Sequence, residues 1–143
     1  VDAFDSRGRK SASSRIQKGL LIYVGVTEGD DHQDLEYLAR KCVKLRIFED
    51  DQGRMNRSVV DEEGEILCVS QFTLYGACHS GNRPSFVNAA KPEISEPLYQ
   101  SFLEKLREMS GLPVREGVFG ASMQVYAQND GPVNMLIDSS KLF

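Results

Sequence analysis

Within four residues, Ser70-Gln71-Phe72-Thr73, the chain gathers two hydroxyls, a carboxamide and an aromatic ring at the end of an apolar run. Hydroxyls and amides can orient a carbonyl and donate hydrogen bonds to the negative charge that develops on it. If the strand continues straight, alternation puts Ser70 and Phe72 on one face and Gln71 and Thr73 on the other. A threonine nucleophile needs a neighbouring base, yet no Asp, Glu, Lys or His lies within five residues of Thr73. Thr73 is therefore read first as a positioning or polarising residue and only second as a nucleophile. The plain alternative is a strand end closed by polar side chains.

Asn129-Asp130-Gly131-Pro132 is the other conspicuous cluster. It reads equally as a turn between two strands or as a rigid presenting device, since proline fixes its φ and glycine lets another molecule approach the backbone. The X-Pro isomer is not written in the sequence. His79 follows Cys78 and comes eleven residues after Cys68, which raises a metal site or a Cys-His thiol hydrolase. A metal needs three or four convergent ligands, and Cys68 sits between Leu67 and Val69 where a buried thiol is ordinary. No metal and no cofactor are expected. Gly-rich phosphate loops, nucleophile elbows and His-Glu-x-x-His are missing.

These residues need elements to hold them. Gly19 to Val26 is a short apolar run bounded by glycines and reads as a buried strand. From Asp31 to Arg46, Leu35, Leu38, Ala39, Cys42 and Val43 recur at helical spacing, with Asp30 or Asp31 as N-cap. Glu49 to Gly53 is a turn, and Glu65 to Ser70 a second buried strand running into Gln71-Phe72-Thr73-Leu74. Tyr75 to Pro92 is long enough to be a surface loop with a task. A second helix follows, capped by Ser95, with Pro97 in its first turn, an apolar face of Leu98, Phe102, Leu103, Leu106 and Met109, and a stop at Gly111 and Pro113. Ala121 to Gln128 alternates as a strand, and Val133 to Asp138 is expected as the last one. The order implies a mixed α/β domain with two helices against sheet.

Composition narrows the class. The 143 residues are 41% hydrophobic and 27% charged, enough for one domain spanning 1–143 with its own core. No run approaches the ~20 apolar residues of a membrane span, and no apolar signal segment opens the chain, so a cytoplasmic protein is the default. Cys42, Cys68 and Cys78 form an odd set with no paired spacing, as reduced thiols would. A net charge of −4 argues against a protein that wraps long nucleic acid, DNA included. Arg7, Arg9, Lys10, Arg15 and Lys18 nevertheless outnumber Asp2 and Asp5 in residues 1–18, a segment read as a basic, mobile loop that can touch phosphates locally.

Taken together, the segments resemble the D-aminoacyl-tRNA deacylase family. Its two signatures appear as Ser70-Gln71-Phe72-Thr73 and as Asn129-Asp130-Gly131-Pro132-Val133-Asn134. The likeness extends to Gly19-Leu20-Leu21, Leu45-Arg46-Ile47-Phe48, Met55-Asn56, Arg83-Pro84-Ser85-Phe86, Leu98-Tyr99 and Phe119-Gly120 with Met123-Gln124-Val125, so it covers most of the chain after residue 18. Two departures stand out. The strand bearing Gln-Arg-Val that usually precedes the region of Val1 is absent, so the chain looks truncated at its start, and Asn134 replaces the usual closing threonine.

The resemblance implies a three-layer α/β/β fold with mixed, largely antiparallel sheet and two main helices. It also implies a homodimer that hydrolyses the ester between a D-amino acid and the terminal adenosine of tRNA, as chiral proofreading. Ser70, Gln71 and Thr73 would form the catalytic floor, with Phe72, Phe119, Met123, Asn129, Gly131 and Pro132 binding substrate. Gly131-Pro132 would be cis and enter the partner subunit's site. Because an aminoacyl ester is labile and its neighbouring 2′-OH can assist attack, positioning alone can supply up to roughly 7–11 kcal/mol. A module that only holds tRNA ends without turnover is the competing class.

Overall fold

In the computed structural model, which describes residues 1–143, the chain runs through eight short strands and two long helices. The strands are β1 (Asp2–Phe4), β2 (Lys10–Ser13), β3 (Gly19–Val24), β4 (Phe48–Glu49), β5 (Met55–Arg57), β6 (Glu65–Ser70), β7 (Val114–Glu116) and β8 (Ser122–Gln124). The helices are α1 (His32–Lys44) and α2 (Pro92–Ser110). Three sheets result, ordered β2-β1-β8, β3-β6-β7 and β4-β5. Pairing is antiparallel in the first and third and parallel in the second, so the mixed sheet expected from the sequence is present.

The central strand β6 explains the layering. Its Ile66 and Cys68 join Val24 of β3, Val114 of β7, Leu35, Ala39 and Val43 of α1, and Phe102, Leu103 and Leu106 of α2 in one buried cluster. Leu67 and Val69 alternate to the opposite face, where they are also buried. Met123 of the β2-β1-β8 sheet lies on that side, its sulfur packed so close to Gly117 that a Cβ there would stand 2.6 Å away. Helices, parallel sheet and antiparallel sheet thus form three layers.

The two helices begin differently, the first with a side-chain cap and the second with a proline. The Asp31 carboxylate accepts from the N–H groups of Gln33 and Asp34, while the Asp34 carboxylate accepts from the Asp31 N–H at 2.9 Å, a reciprocal capping box. The second helix starts at Pro92, before the expected cap Ser95, because proline's fixed φ and missing N–H suit the first helical position. Ser95 instead donates from its hydroxyl to the Lys91 carbonyl at 3.1 Å, and Pro97 lies inside the helix. Gly111 ends it in a left-handed conformation, φ 66°.

Four expectations are corrected. Residues 1–18, read as a basic loop, contain the β1–β2 hairpin: Ala3 is buried, the Asp5 carboxylate accepts from the Arg7 and Arg9 N–H groups, and Lys10 pairs with Asp2 at 3.0 Å. The strand ending in Ser70 does not run on to Leu74; a 3-10 turn takes over at Phe72–Tyr75. The strand expected over Ala121–Gln128 narrows to β8, and Val133 to Asp138 pairs with nothing, because β8 binds only β1 and no ladder reaches residues beyond Gln124. Strand β7, too short to show a period, was not anticipated.

Candidate functional site

At the C-terminal end of β6 the chain breaks from the sheet. The Gln71 N–H still donates to the Val24 carbonyl at 2.8 Å, extending the β3 pairing by one bond, and the next four residues then coil into the 3-10 turn. Gly25 permits this. A Cβ on it would sit 3.2 Å from the Gln71 carbonyl oxygen and from the Tyr75 ring, so the glycine lets the turn lie tightly on the end of β3. The bend overturns the straight-strand alternation and brings Gln71 and Thr73 together: Gln71 Nε2 donates to Thr73 Oγ1 at 2.5 Å.

That contact fixes what the hydroxyl can do. An attacking hydroxyl must hand its proton to an acceptor, whereas here Thr73 receives a hydrogen bond from a neutral amide and keeps its own O–H free to donate. Thr73 and Phe72 are exposed, while Ser70 and Gln71 are half-buried. Phe72 stands edge-on against Phe86, ring centroids 5.2 Å apart at 74°. Phe86 arrives from the long loop, which is closed by the antiparallel bridge Ala77–Ser85 and sewn to β3 by Ala90 N–H to Val26 carbonyl. Gly76 makes room for the Phe86 ring, which would lie 2.9 Å from a Cβ at that position.

Phe119 packs on the helix side of the parallel sheet, whereas Met123 lies on its other face. Phe119 packs against Tyr99, centroids 5.9 Å apart, and the buried Tyr99 hydroxyl donates to the Cys68 carbonyl at 3.0 Å. Burial pushes that phenol well above its ordinary range. Met123 reaches Gly117, whose N–H also donates to the Cys68 carbonyl. Tyr99, Phe86 and Gly25 were not singled out as site residues by sequence reasoning. Their signals were an aromatic on the helix face, an aromatic within a polar loop and a glycine at the close of an apolar strand.

The other cluster lies apart. Gly131-Pro132 is cis, Gly131 has φ 119°, and both residues are exposed. No hydrogen bond within the chain links Asn129, Gly131 or Pro132 to Ser70, Gln71 or Thr73. Asn129 instead donates to Asn134.

Titration singles out other groups. Burial raises Asp30, opposed by the Thr27 N–H and reinforced by Asp34 and Asp138, and burial with the same carboxylates raises Tyr75. Burial pushes the Cys42 thiol to about 11 and the Cys68 thiol well above its usual value, so neither is a ready thiolate. Cys78 and His79 are exposed on the long loop, and no group of three His, Cys, Asp or Glu side chains is arranged to hold a metal. A polar hollow of about 490 Å³ lies at the β4–β5 turn between Asp50 and Asn56 and includes none of these residues.

Comparison with known proteins places this geometry in a family. Residues 6–138 match the family model described as D-Tyr-tRNA(Tyr) deacylase. The chain is 56% identical over 128 residues to the D-aminoacyl-tRNA deacylase of Thermotoga petrophila, covering 90% of this chain and 85% of that protein. It is 54% identical over 125 residues to the same-named protein of Chloroherpeton thalassium, covering 87% and 82%. Among solved structures, one titled c-Myc DNA Unwinding Element Binding Protein superposes with a TM-score of 0.80 at 42% identity, covering 92% of this chain and 87% of that one. A probable eukaryotic D-amino acid tRNA deacylase matches the fold at TM-score 0.63 and 18% identity, covering 82% and 81%.

Proposed function

The chain belongs to the D-Tyr-tRNA(Tyr) deacylase family and is a hydrolase of D-aminoacyl-tRNA, and from that premise we propose how its residues handle the ester. The single observation that carries the reading is the Gln71–Thr73 hydrogen bond at the exposed end of β6. It leaves the Thr73 O–H as a donor, suited to the ester carbonyl and to the oxyanion that forms when water attacks it. Ser70 and Gln71 hold that donor, and Phe72 and Phe119 supply apolar walls. The attacking water adds to the carbonyl carbon, the tetrahedral oxyanion collapses, and the 3′-oxygen of the terminal adenosine leaves with a proton. The neighbouring 2′-OH can assist, so the protein supplies orientation and a polarised carbonyl rather than a strong base.

Two chains form the working unit in this reading. The exposed Gly131-Pro132 loop of one subunit enters the site of the other, where its main chain fixes the substrate's α-amino group and crowds the direction of an L side chain. A two-fold dimer supplies this reciprocally. Rejection by clash accepts many D side chains, because none is gripped, and does not exclude glycine, which has no side chain. Deacylation of D-tyrosyl, L-tyrosyl and glycyl-tRNA by the purified protein tests the scheme. Cleavage of the D-tyrosyl and glycyl esters with the L-tyrosyl ester spared is expected; rapid L-tyrosyl cleavage or an inert glycyl ester overturns the steric account.

A further inference from the structure

Between Ala127 and Ile137 the chain forms no backbone–backbone hydrogen bond, and a single side-chain bond spans the segment: Asn129 Nδ2 donates to Asn134 Oδ1 at 2.8 Å. The two asparagines close six residues around Gly131-Pro132. Inside that ring, Gly131 takes φ 119°, and a Cβ there would meet a Val133 methyl at 2.7 Å. Proline offers no donor and glycine restrains φ least, so main-chain pairing cannot hold the direction in which this turn projects. The side-chain bond is the restraint the chain itself provides.

Resting on the function proposed above, we propose that Asn129 and Asn134 are a positioning pair that sets the preference for D over L substrates. Asn129, expected from the resemblance to bind substrate, acts in this proposal through the turn instead, and neither asparagine needs to touch the substrate. Repulsion is steep, so an obstacle discriminates only as well as it stays in place; a turn that yields by a fraction of an ångström relieves the clash with an L side chain while leaving a D side chain undisturbed. Loosening the pair therefore raises L cleavage before it lowers D cleavage. In the structure position 129 donates and position 134 accepts, an arrangement that an aspartate at 134 preserves.

The test compares wild type with Asn129→Leu, Asn134→Leu, the double Leu variant and Asn134→Asp. The readouts are kcat/KM for D-tyrosyl and L-tyrosyl-tRNA, melting temperature, and the ¹⁵N order parameters of Gly131 and Val133. Each Leu variant should melt as wild type does and lose about three- to tenfold in the D-to-L ratio, the worth of one net hydrogen bond, mainly through faster L cleavage. The double variant should be no worse than either single one, and Asn134→Asp, which keeps the acceptor, should hold the ratio. Order parameters should fall only where the bond is lost. An unchanged ratio in both Leu variants, multiplicative losses in the double variant, or slower D cleavage at constant ratio each overturns the proposal. Wild type inert towards D-tyrosyl-tRNA would instead overturn the function proposed above and with it the discriminating role of the pair; the order parameters would then judge the restraint alone.

Discussion

Thr73 Oγ1 accepts a hydrogen bond from the Gln71 amide and keeps its own O–H to donate, and the consequence is measurable. Thr73→Ala should lower D-tyrosyl-tRNA deacylation by about ten- to a thousand-fold without abolishing it, as expected for one donor to a developing oxyanion. Single-turnover rates check the magnitude. A covalent aminoacyl-Thr73 adduct found by mass spectrometry would reverse the assignment. The cysteines make a second prediction at this scale. Cys78 is exposed, while burial holds the Cys42 and Cys68 thiols above their ordinary range. Iodoacetamide at neutral pH should therefore modify Cys78 first and leave deacylation intact, read by mass spectrometry beside an activity assay. Inactivation in step with Cys78 labelling would favour a thiol hydrolase.

Elements hold the site through close backbone approaches that single glycines permit. Gly19 opens β3 opposite Glu65 of β6, where a Cβ would stand 1.8 Å from the Glu65 carbonyl oxygen, backbone that cannot swing away. Gly19→Ala must part the two strands that carry the 3-10 turn, at a cost of about 3 kcal/mol or more, comparable to severe overpacking. Gly53→Ala is the contrast: its φ is 75° but its Cβ would meet nothing within 4 Å, so it should cost only about 1 kcal/mol. Urea midpoints of the two variants measure the difference. Similar losses would mean that the β3–β6 contact is softer than its geometry implies.

At the scale of the whole molecule, the surface that follows β8 is unusually apolar. Tyr126, Met135 and Leu136 are exposed there, Leu136 at 78%, in a segment whose main chain pairs with nothing in its own chain. Large apolar side chains that the chain itself leaves uncovered are available to an association surface. The active species should sediment at about twice the 16.0 kDa chain mass, and dilution that splits it should extinguish deacylation. Full activity in a species of one chain's mass would refute the shared site. No helix is long and apolar enough to cross a membrane.

Much of this was legible in residue order, because local physics writes it there. The faces of α1 and α2, an aspartate cap at Asp30 or Asp31, the Gly111 stop and the buried run of β6 follow from periodicity and side-chain chemistry, and the hydroxyl-amide cluster and the Gly131-Pro132 turn were visible as residue types. What residue order could not carry was anything settled by a partner distant in the chain. Strand β1 is joined by β8 from more than a hundred residues away, whereas Val133–Asp138, with a strand's pattern, finds no ladder. The run through Thr73 turns into a 3-10 helix against the end of β3, where Gly25, some fifty residues earlier, leaves space for it. Sequence by itself determined which groups could polarise an ester. Only tertiary structure decided which way they point, since direction depends on contacts that neither neighbour nor period encodes.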